Sequence, residues 1–200
     1  MNIYGKTKWA LLLCLLMVFS IIAGCGGKGS DTADQDVIKL GFLGATTGSV
    51  ANYGIPGEKG MQMAIEEVNA SGGVLGKELK GIYLDNKGDS SEIANIATRY
   101  ITREKVVAMV GDPCTGLTKV AADIAQKNKV VVFSAGATGA GVVEIGDYVF
   151  RNTLLDQLAV PLVVDWMIKD QEWNKFAVIT SLSNGYSTAL TPVFKDEIDK

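Results

Sequence analysis

Residues 40–76 read LGFLGATTGSVANYGIPGEKGMQMAIEEVNASGGVLG, and this stretch decides the fold. It opens on an apolar run, passes through a polar, glycine-bearing loop and continues into residues 57–70, where apolar residues recur at the spacing of one helical face: Met61, Ala64, Ile65 and Val68. Ser71-Gly72-Gly73 ends that helix, because glycine takes a positive φ at little cost. The stretch therefore predicts a buried strand, a loop, an amphipathic helix and a tight turn, with a possible site where strand passes into helix.

The same strand, loop and helix unit recurs along the rest of the chain. Strands are predicted at residues 37–43, 79–84, 106–110, 130–133, 148–151 and 176–180, with helical patterns between them. Asp89 and Glu92 are spaced as a capping box at the start of one helix. This alternation is typical of an α/β fold with a mostly parallel sheet.

The first 24 residues have the features of a secretion signal. Lys6 and Lys8 precede an apolar segment, residues 10–22, that is short for a membrane span. Ile22-Ala23-Gly24-Cys25 resembles the lipobox of bacterial lipoproteins, which implies cleavage before Cys25 and a lipid on that cysteine. An ordinary signal peptide or an anchor helix with a chance cysteine is the alternative. Residues 25–36 lack large apolar side chains after the cysteine and are predicted to be a flexible tether.

Composition excludes several classes of function. Removal of residues 1–24 takes Lys6 and Lys8 from 19 basic residues and none of the 22 acidic ones, leaving a net charge of −5. That charge, without a basic patch, argues against a nucleic-acid partner. The sequence has no histidine, which excludes a Ser-His-Asp triad and imidazole zinc sites. Of three cysteines only Cys114 remains in the predicted domain, so it forms no intrachain disulfide there.

Loops after the predicted strands are the candidate site. In a parallel sheet these loops meet at the carboxyl edge, where ligands bind. They are rich in glycine, serine and threonine, and Thr115 and Thr138 add hydroxyl donors near helix N-termini, which favour an anionic group. Ordinary turn chemistry remains the alternative for each loop. Asp85, Asp89 and Asp112 lie on separate loops without metal-ligand spacing, so we interpret them as solvated loop acids and predict no metal site.

A nucleotide site is disfavoured by the glycine spacing. Gly41, Gly44 and Gly48 do not form G-x-G-x-x-G, and the loop is too long for a tight phosphate turn. The Gly76-Lys77 pair follows a helix instead of a strand, so it is not a Walker A lysine.

Several motifs together resemble a known family. G-x-x-T-G at residues 44–48, the pair Tyr53-Gly54, and G-x-x-x-A-I-x-x-x-N-x-x-G-G-x-x-G over residues 60–76 are similar to branched-chain amino-acid (leucine/isoleucine/valine-type) binding proteins of bacterial ABC importers. The resemblance implies the type I periplasmic-binding-protein fold, in which two α/β lobes close on a ligand like a flytrap. Residues 37–152 would form lobe one. Residues 153–200 would begin an incomplete lobe two, as expected of a fragment or a truncated product.

The resemblance also implies roles for the candidate residues. Thr115 would hold a ligand carboxylate, the Gly136 carbonyl would take an ammonium group, and Thr138 would add a second hydroxyl contact. Ala137 lies between the last two. An acidic group from lobe two usually completes the ammonium site in this family, and it would lie beyond residue 200.

Two tyrosines complete the predicted ligand contacts. Tyr53 in the first loop would form part of the pocket wall. Tyr186 in N-G-Y-S would cover the ligand from the second lobe. Family members often bridge the cysteine matching Cys114 to one near Gly88, and here that disulfide is absent.

The implied function is an exported solute-binding protein, lipid-anchored in the periplasm or on the outer face of the bacterial cell membrane. It would bind a small amino acid, of branched-chain type, and deliver it to an ABC permease without catalysis or cofactors. A ligand-sensing receptor domain of the same fold and a binder of amide or urea-type solutes remain alternatives. An enzyme is disfavoured by the missing histidine and nucleotide motifs.

Overall fold

The computed structural model describes residues 37–200. The signal predicted for residues 1–24, the lipid site predicted at Cys25 and the tether predicted for residues 25–36 lie outside the described residues. Among residues 37–200, no helix combines the length and the apolar character needed to cross a membrane.

The described part of the chain is built on one five-stranded parallel sheet. Its strands are β1 (Val37–Leu43), β2 (Glu78–Tyr83), β3 (Ala108–Gly111), β4 (Val131–Ser134) and β5 (Val149–Arg151). Their order across the sheet is β2-β1-β3-β4-β5, and every neighbouring pair is parallel. The predicted α/β architecture is confirmed. Because β2 and β3 lie on opposite sides of β1, the order reverses there, and such a reversal opens a crevice at the carboxyl edge.

Helices connect these strands and follow the last of them. They are α1 (Ala51–Ala70), α2 (Ser90–Arg99), which continues as a π-helical turn over Tyr100–Glu104, α3 (Thr115–Asn128), α4 (Asp156–Lys169) and α5 (Gly185–Ile198). The predicted start of α2 is confirmed, since the Asp89 side chain accepts hydrogen bonds from the Ser91 and Glu92 amides. The Glu92 carboxylate instead lies 3.5 Å from the Lys87 ammonium, so only half of the capping box forms.

Strand registers place one row of side chains on each face of the sheet. The row toward α2 and α3 is Ile82, Gly41, Met109, Val132 and Val149, and Met109 and Val132 are fully buried there. The opposite row is Tyr83, Phe42, Val110, Phe133 and Phe150. Helix α1 covers Phe42, whereas Phe133 and Phe150 remain 38% and 47% exposed.

Tyr100 joins α2 to two strands. Its side chain is fully buried, and a Cβ atom on Gly41 would lie 2.6 Å from the Tyr100 ring. The phenol donates to the Phe42 carbonyl at 2.8 Å and lies 2.9 Å from the Ile82 carbonyl. Burial raises the pKa of Tyr100 far above its usual value. The neutral phenol therefore keeps its single proton, which is shared between main-chain acceptors on β1 and β2 on the helix side of the sheet.

Helix α1 begins earlier than the sequence predicted. The apolar spacing predicted a helix that starts at residue 57, but the helix begins at Ala51 and includes Pro56. The preceding turn forms all the same, since the Tyr53 and Gly54 amides donate to the Val50 carbonyl at 3.0 and 3.3 Å. Tyr53 is therefore on the first turn of α1 and not in the loop where it was predicted.

The strand predicted at residues 176–180 is wrong. These residues belong to no helix or strand, and Ile179 is 96% exposed. A strand needs a neighbour to pair its N–H and C=O groups, and no other strand of the described chain lies beside this segment. The segment joins α4 to α5, which pack against each other.

Candidate functional site

A cleft lies between α1 and the sheet face that carries Phe42 and Val110, and it reaches the carboxyl edge at Asp112 and Gly136. Its volume is about 580 Å³. Tyr53, Asp112 and Gly136 belong to its wall near the loops, and the remainder is largely apolar, with Leu40, Phe42, Met61, Ile65 and Val110 from the sheet and α1. Of the predicted ligand contacts, Tyr53 and Gly136 therefore line this cleft, and Tyr53 is 59% exposed in it.

Thr115 is the first residue of α3 and is 2% exposed. Its Oγ1 accepts a hydrogen bond from the Gly139 amide at 3.1 Å, which ties the loop after β3 to the loop after β4. Cys114 is the N-cap of α3 and its side chain makes no capping hydrogen bond. The Thr115 hydroxyl keeps its own proton to donate at the positive end of the helix.

The loop after β4 is held close to the loop after β3. A Cβ atom on Gly136 would lie 2.7 Å from Pro113 Cα, so only glycine allows this approach. Ala137 is fully buried, and its amide donates to Ser134 Oγ at 3.1 Å. Thr138 is half-buried, and its carbonyl accepts from the Asp156 amide at 3.2 Å.

Residues after β5 hold the same loop from the other side. Arg151 Nη1 donates to the Gly139 carbonyl at 2.7 Å and to the Ala137 carbonyl at 3.3 Å. Thr153 Oγ1 also donates to the Ala137 carbonyl, at 3.1 Å. Three carbonyl contacts from one short segment fix the backbone of the loop on which Gly136 and Thr138 lie.

Tyr186, Thr138 and Asp156 come together at the N-termini of α4 and α5. Partial burial raises the pKa of the Tyr186 phenol, and the hydrogen bond with the Thr138 hydroxyl opposes the rise. The charge of the Asp156 carboxylate and its hydrogen bond with the phenol both add to the rise. Asp156 Oδ2 is buried and accepts no hydrogen bond from any residue of the described chain. A buried carboxylate oxygen without a donor is costly, and it marks a place where a positively charged group would be stabilised.

Asp85 pins the first loop to the second. Its carboxylate accepts hydrogen bonds from the Thr47 hydroxyl and from the amides of Thr46 at 2.8 Å and Lys87 at 2.9 Å. Desolvation acts to raise its pKa, but these donors outweigh it and lower the pKa of Asp85 to about 2. Asp85 is therefore ionised at neutral pH, and it holds the loop after β1 against the loop after β2.

The interpretation of Asp112 as a solvated acid is wrong. Asp112 is 1% exposed, and burial raises its pKa against the hydrogen bonds from Cys114 and Asn86 that lower it. Cys114 is half-buried, and burial, together with the Asp112 carboxylate, raises the pKa of its thiol to about 11. The thiol is therefore protonated at neutral pH. Within residues 37–200, no cluster of three or more candidate metal-ligating side chains occurs.

The sequence analysis missed Arg151, Thr153 and Asp156. All three lie at or just beyond the carboxyl end of β5, which belongs to the same sheet edge as the loops already selected. The rule that pointed to the loops after β1, β3 and β4 applies equally to β5. Applied there, it would have brought both charged residues into the candidate site.

A parallel sheet of this order with helices packed on it is a doubly wound α/β fold, in which ligands bind at the carboxyl edge of the sheet. Residues 37–200 match the periplasmic binding protein family. The chain belongs to that family.

Solved structures and curated proteins of similar sequence refine this placement. The branched-chain amino acid transporter substrate-binding protein LivJ from Streptococcus pneumoniae, in complex with isoleucine, is 32% identical with a TM-score of 0.76, over 80% of this chain and 46% of that one. The leucine-binding protein LivK from Thermotoga maritima is 26% identical with a TM-score of 0.72, over 81% and 45%. The predicted type I periplasmic-binding-protein fold and the predicted family resemblance are confirmed.

The curated proteins of similar sequence are also amino-acid-binding proteins. The leucine-specific-binding protein of Salmonella typhimurium is 29% identical over 162 residues, which are 80% of this chain and 44% of the relative. A leucine-, isoleucine-, valine-, threonine- and alanine-binding protein of Pseudomonas aeruginosa is 30% identical over 76% of this chain and 41% of the relative. The chain thus spans less than half the length of these relatives.

Proposed function

We propose that this chain is the ligand-binding part of an extracytoplasmic solute-binding protein that captures a branched-chain amino acid for an ABC importer. Similarity to LivJ in complex with isoleucine and to proteins named for leucine binding supports the proposal. The ligand is a zwitterion with an aliphatic side chain. Binding makes and breaks no covalent bond, so the protein acts by capture and release.

The observation that carries the proposal is the orphan carboxylate oxygen of Asp156. Asp156 Oδ2 itself is buried and has no hydrogen-bond partner within residues 37–200, although the Tyr186 phenol hydrogen-bonds the Asp156 carboxylate. An ammonium group would supply the missing donor and the compensating charge, since buried charges are stabilised only when paired and hydrogen-bonded. The Gly136 carbonyl and the Thr138 hydroxyl lie on the same fixed loop and would take further ammonium hydrogens.

The ligand carboxylate is assigned to the start of α3. Thr115 Oγ1 already accepts from the Gly139 amide, so its proton is free for an acceptor on the ligand. The N-terminus of α3 adds the partial positive charge that favours an anion. The site would thus have a positive end at the start of α3 and a negative end at Asp156. These opposite charges would orient a zwitterionic amino acid.

The apolar part of the cleft suits the ligand side chain. Its wall carries Leu40, Phe42, Met61, Ile65 and Val110 below Tyr53 and Gly136. Aliphatic groups gain about 25 cal/mol per Å² when such a surface removes them from water. This term favours leucine, isoleucine or valine over a polar amino acid.

Closure of two lobes would complete the site. We assign residues 37–152 to lobe one and residues 153–200 to the start of lobe two, with Tyr186 on α5 as the residue that approaches from the second lobe. Tyr186 already meets Thr138 of the first. A ligand that contacts both sides binds the closed form more tightly and shifts the population toward it.

The test of the function is binding of isoleucine to the purified protein, with Thr138→Val as the site variant. Isoleucine at 100 times its Kd is expected to stabilise the protein by about 2.7 kcal/mol in a thermal shift assay. Thr138→Val keeps the shape and removes the hydroxyl, so Kd is expected to rise about 10-fold, the cost of one hydrogen bond to a charged group.

Thr98→Val is the matched control, because Thr98 lies on the exposed side of α2 and its hydroxyl donates to the Ala94 carbonyl, away from the site. It is expected to leave Kd unchanged. A nucleotide that shifts the midpoint when no amino acid does would contradict the proposal. An unchanged Kd in Thr138→Val would remove that residue from the site.

We also propose that the protein is exported and held at the membrane by a lipid on Cys25. The support is the sequence Ile22-Ala23-Gly24-Cys25 after a signal-like segment. Cys25→Ser is expected to move the protein from the membrane fraction of the cell to the soluble extracytoplasmic fraction. Continued sedimentation of the variant with membranes would contradict lipid anchoring.

A further inference from the structure

Asp112 is the centre of a hydrogen-bond network that joins the ends of β1 and β4, the start of α3 and the loop after β2. Its amide donates to the Leu43 carbonyl at the end of β1, at 2.6 Å. Its carbonyl accepts from Thr118 Oγ1 on α3 and from Ser134 Oγ at the end of β4, each at 3.0 Å. The main chain of one residue thus joins β1, α3 and β4.

The Asp112 side chain adds the loop after β2. Its Oδ2 accepts from Asn86 Nδ2 at 2.7 Å, and its Oδ1 accepts from the Cys114 amide at 2.8 Å. Asn86 is fully buried, and its Oδ1 accepts from the Gly88 amide at 2.9 Å. This last bond fixes which way the Asn86 amide points, so its NH₂ group faces the carboxylate. Asn86 and Asp112 therefore form a directional donor and acceptor pair.

Two residues that hydrogen-bond Asp112, Cys114 and Ser134, connect it directly to the proposed ligand-binding loops. Cys114, which bonds Asp112 Oδ1, immediately precedes Thr115. Ser134 Oγ, which bonds the Asp112 carbonyl, accepts from the Ala137 amide at 3.1 Å in the other ligand-binding loop. Asp112 also has a φ of +32°, a strained value for an aspartate. Such strain persists where surrounding contacts dictate it, and it concentrates at functional sites.

We propose that Asn86 and Asp112 are a positioning pair that holds Thr115 and the loop of residues 136–139 in their ligand-binding arrangement. The proposal rests on the proposed function only for the identity of the ligand. Neither residue needs to touch the amino acid. The pair acts through the Cys114 amide on one side and through Ser134 on the other.

An exchange of the two residues tests the pair. Asp112→Asn turns an NH₂ group toward the Asn86 NH₂ group, and Asn86→Asp sets one carboxylate against another. In the double variant Asn86→Asp/Asp112→Asn the new amide donates to the new carboxylate, while the Gly88 and Cys114 amides keep acceptors. Kd for isoleucine is expected to rise about 10-fold or more in each single variant, since a buried donor is left unsatisfied or two like charges meet, and to return within about 3-fold in the double variant.

A second measurement needs no ligand. Amide hydrogen exchange at Gly139, whose N–H bonds Thr115 Oγ1, is expected to accelerate in Asp112→Asn and to recover in the double variant. Asp123→Asn, which removes the same charge from the exposed side of α3, is the control and is expected to change neither readout. If Asp112→Asn does not fold, Asn86→Ala, which leaves Asp112 in place, is expected to show the same two changes.

The outcomes separate the two proposals. Wild-type protein that binds no branched-chain amino acid overturns the proposed function, while Gly139 exchange still decides the positioning pair. Lower thermal stability with unchanged Gly139 exchange and unchanged Kd means that Asp112 only stabilises the fold, and it overturns the positioning pair. Failure of the double variant to recover Gly139 exchange also overturns it.

Discussion

Asp156→Asn is expected to weaken isoleucine binding about 100-fold, which corresponds to about 2.7 kcal/mol. The variant keeps the size of the side chain but replaces the buried anionic oxygen by a neutral amide. An ammonium group then loses its charge partner in a site from which water is partly excluded, where truncating a charge pair costs about 2–5 kcal/mol. Isothermal titration with isoleucine measures the change directly.

Asp165→Asn is the matched control for this variant. Asp165 lies on the same helix α4, is exposed and pairs only with Lys169 at 2.8 Å, so the variant makes the same change of net charge away from the site. Exposed ion pairs contribute about 1 kcal/mol or less to stability, so loss of this pair leaves the fold intact. We therefore expect the Kd of Asp165→Asn for isoleucine to equal that of the wild type. Equal affinities of Asp156→Asn and wild type would remove Asp156 from the ammonium site.

Gly54→Ala is expected to lower the free energy of unfolding by about 3 kcal/mol, at the upper end of the usual cost of overpacking. A Cβ atom on Gly54 would lie 1.8 Å from the Ala45 carbonyl oxygen and 2.6 Å from its carbon. Both are backbone atoms of the loop that follows β1, so no side-chain rotation relieves the clash. The first turn of α1, which carries Tyr53, must move away from the sheet. Urea unfolding followed by circular dichroism measures the loss.

Gly60→Ala provides the comparison on the same helix. No heavy atom lies within 4 Å of a Cβ atom placed on Gly60, so this methyl group meets open space. Alanine is favoured over glycine inside a helix, and the variant is expected to gain about 0.5–1 kcal/mol. Opposite signs for the two variants are the result expected from packing. A similar small effect of both would mean that α1 adjusts to the methyl group, and it would contradict the close approach of Gly54 to Ala45.

The central strand β3 was predictable from the sequence because it lies in a continuous apolar run. Residues 106–110 form a continuous apolar run, and β3 indeed lies inside the sheet between β1 and β4. The same reasoning failed at residues 176–180, which also form an apolar run. A run of this kind indicates that a segment can be buried, but pairing depends on a neighbouring strand that local sequence does not reveal.

The candidate site was partly predictable for a similar reason. Loop position at a parallel-sheet edge pointed to Thr115, Gly136 and Thr138, and the structure places the loops that carry them in direct contact. It did not reveal that Asp112 is buried, because its partner Asn86 is 26 residues away in sequence. Hydrogen bonds between distant loops depend on three-dimensional packing, which loop composition does not encode.

The Tyr100 phenol has a further consequence for how this chain opens. The Tyr100 hydroxyl lies within hydrogen-bond distance of main-chain carbonyls on β1 and β2. The Tyr100 ring packs against Gly41. Exposing the Ile82 carbonyl to water separates it from the phenol and also removes Ile82 from the core cluster that contains Tyr100. Fraying of the edge strand β2 therefore also disturbs the contact between Tyr100 and the core. Strands β1 and β2 and helix α2 would open together as one cooperative unit, and each would share the slow exchange of the other two.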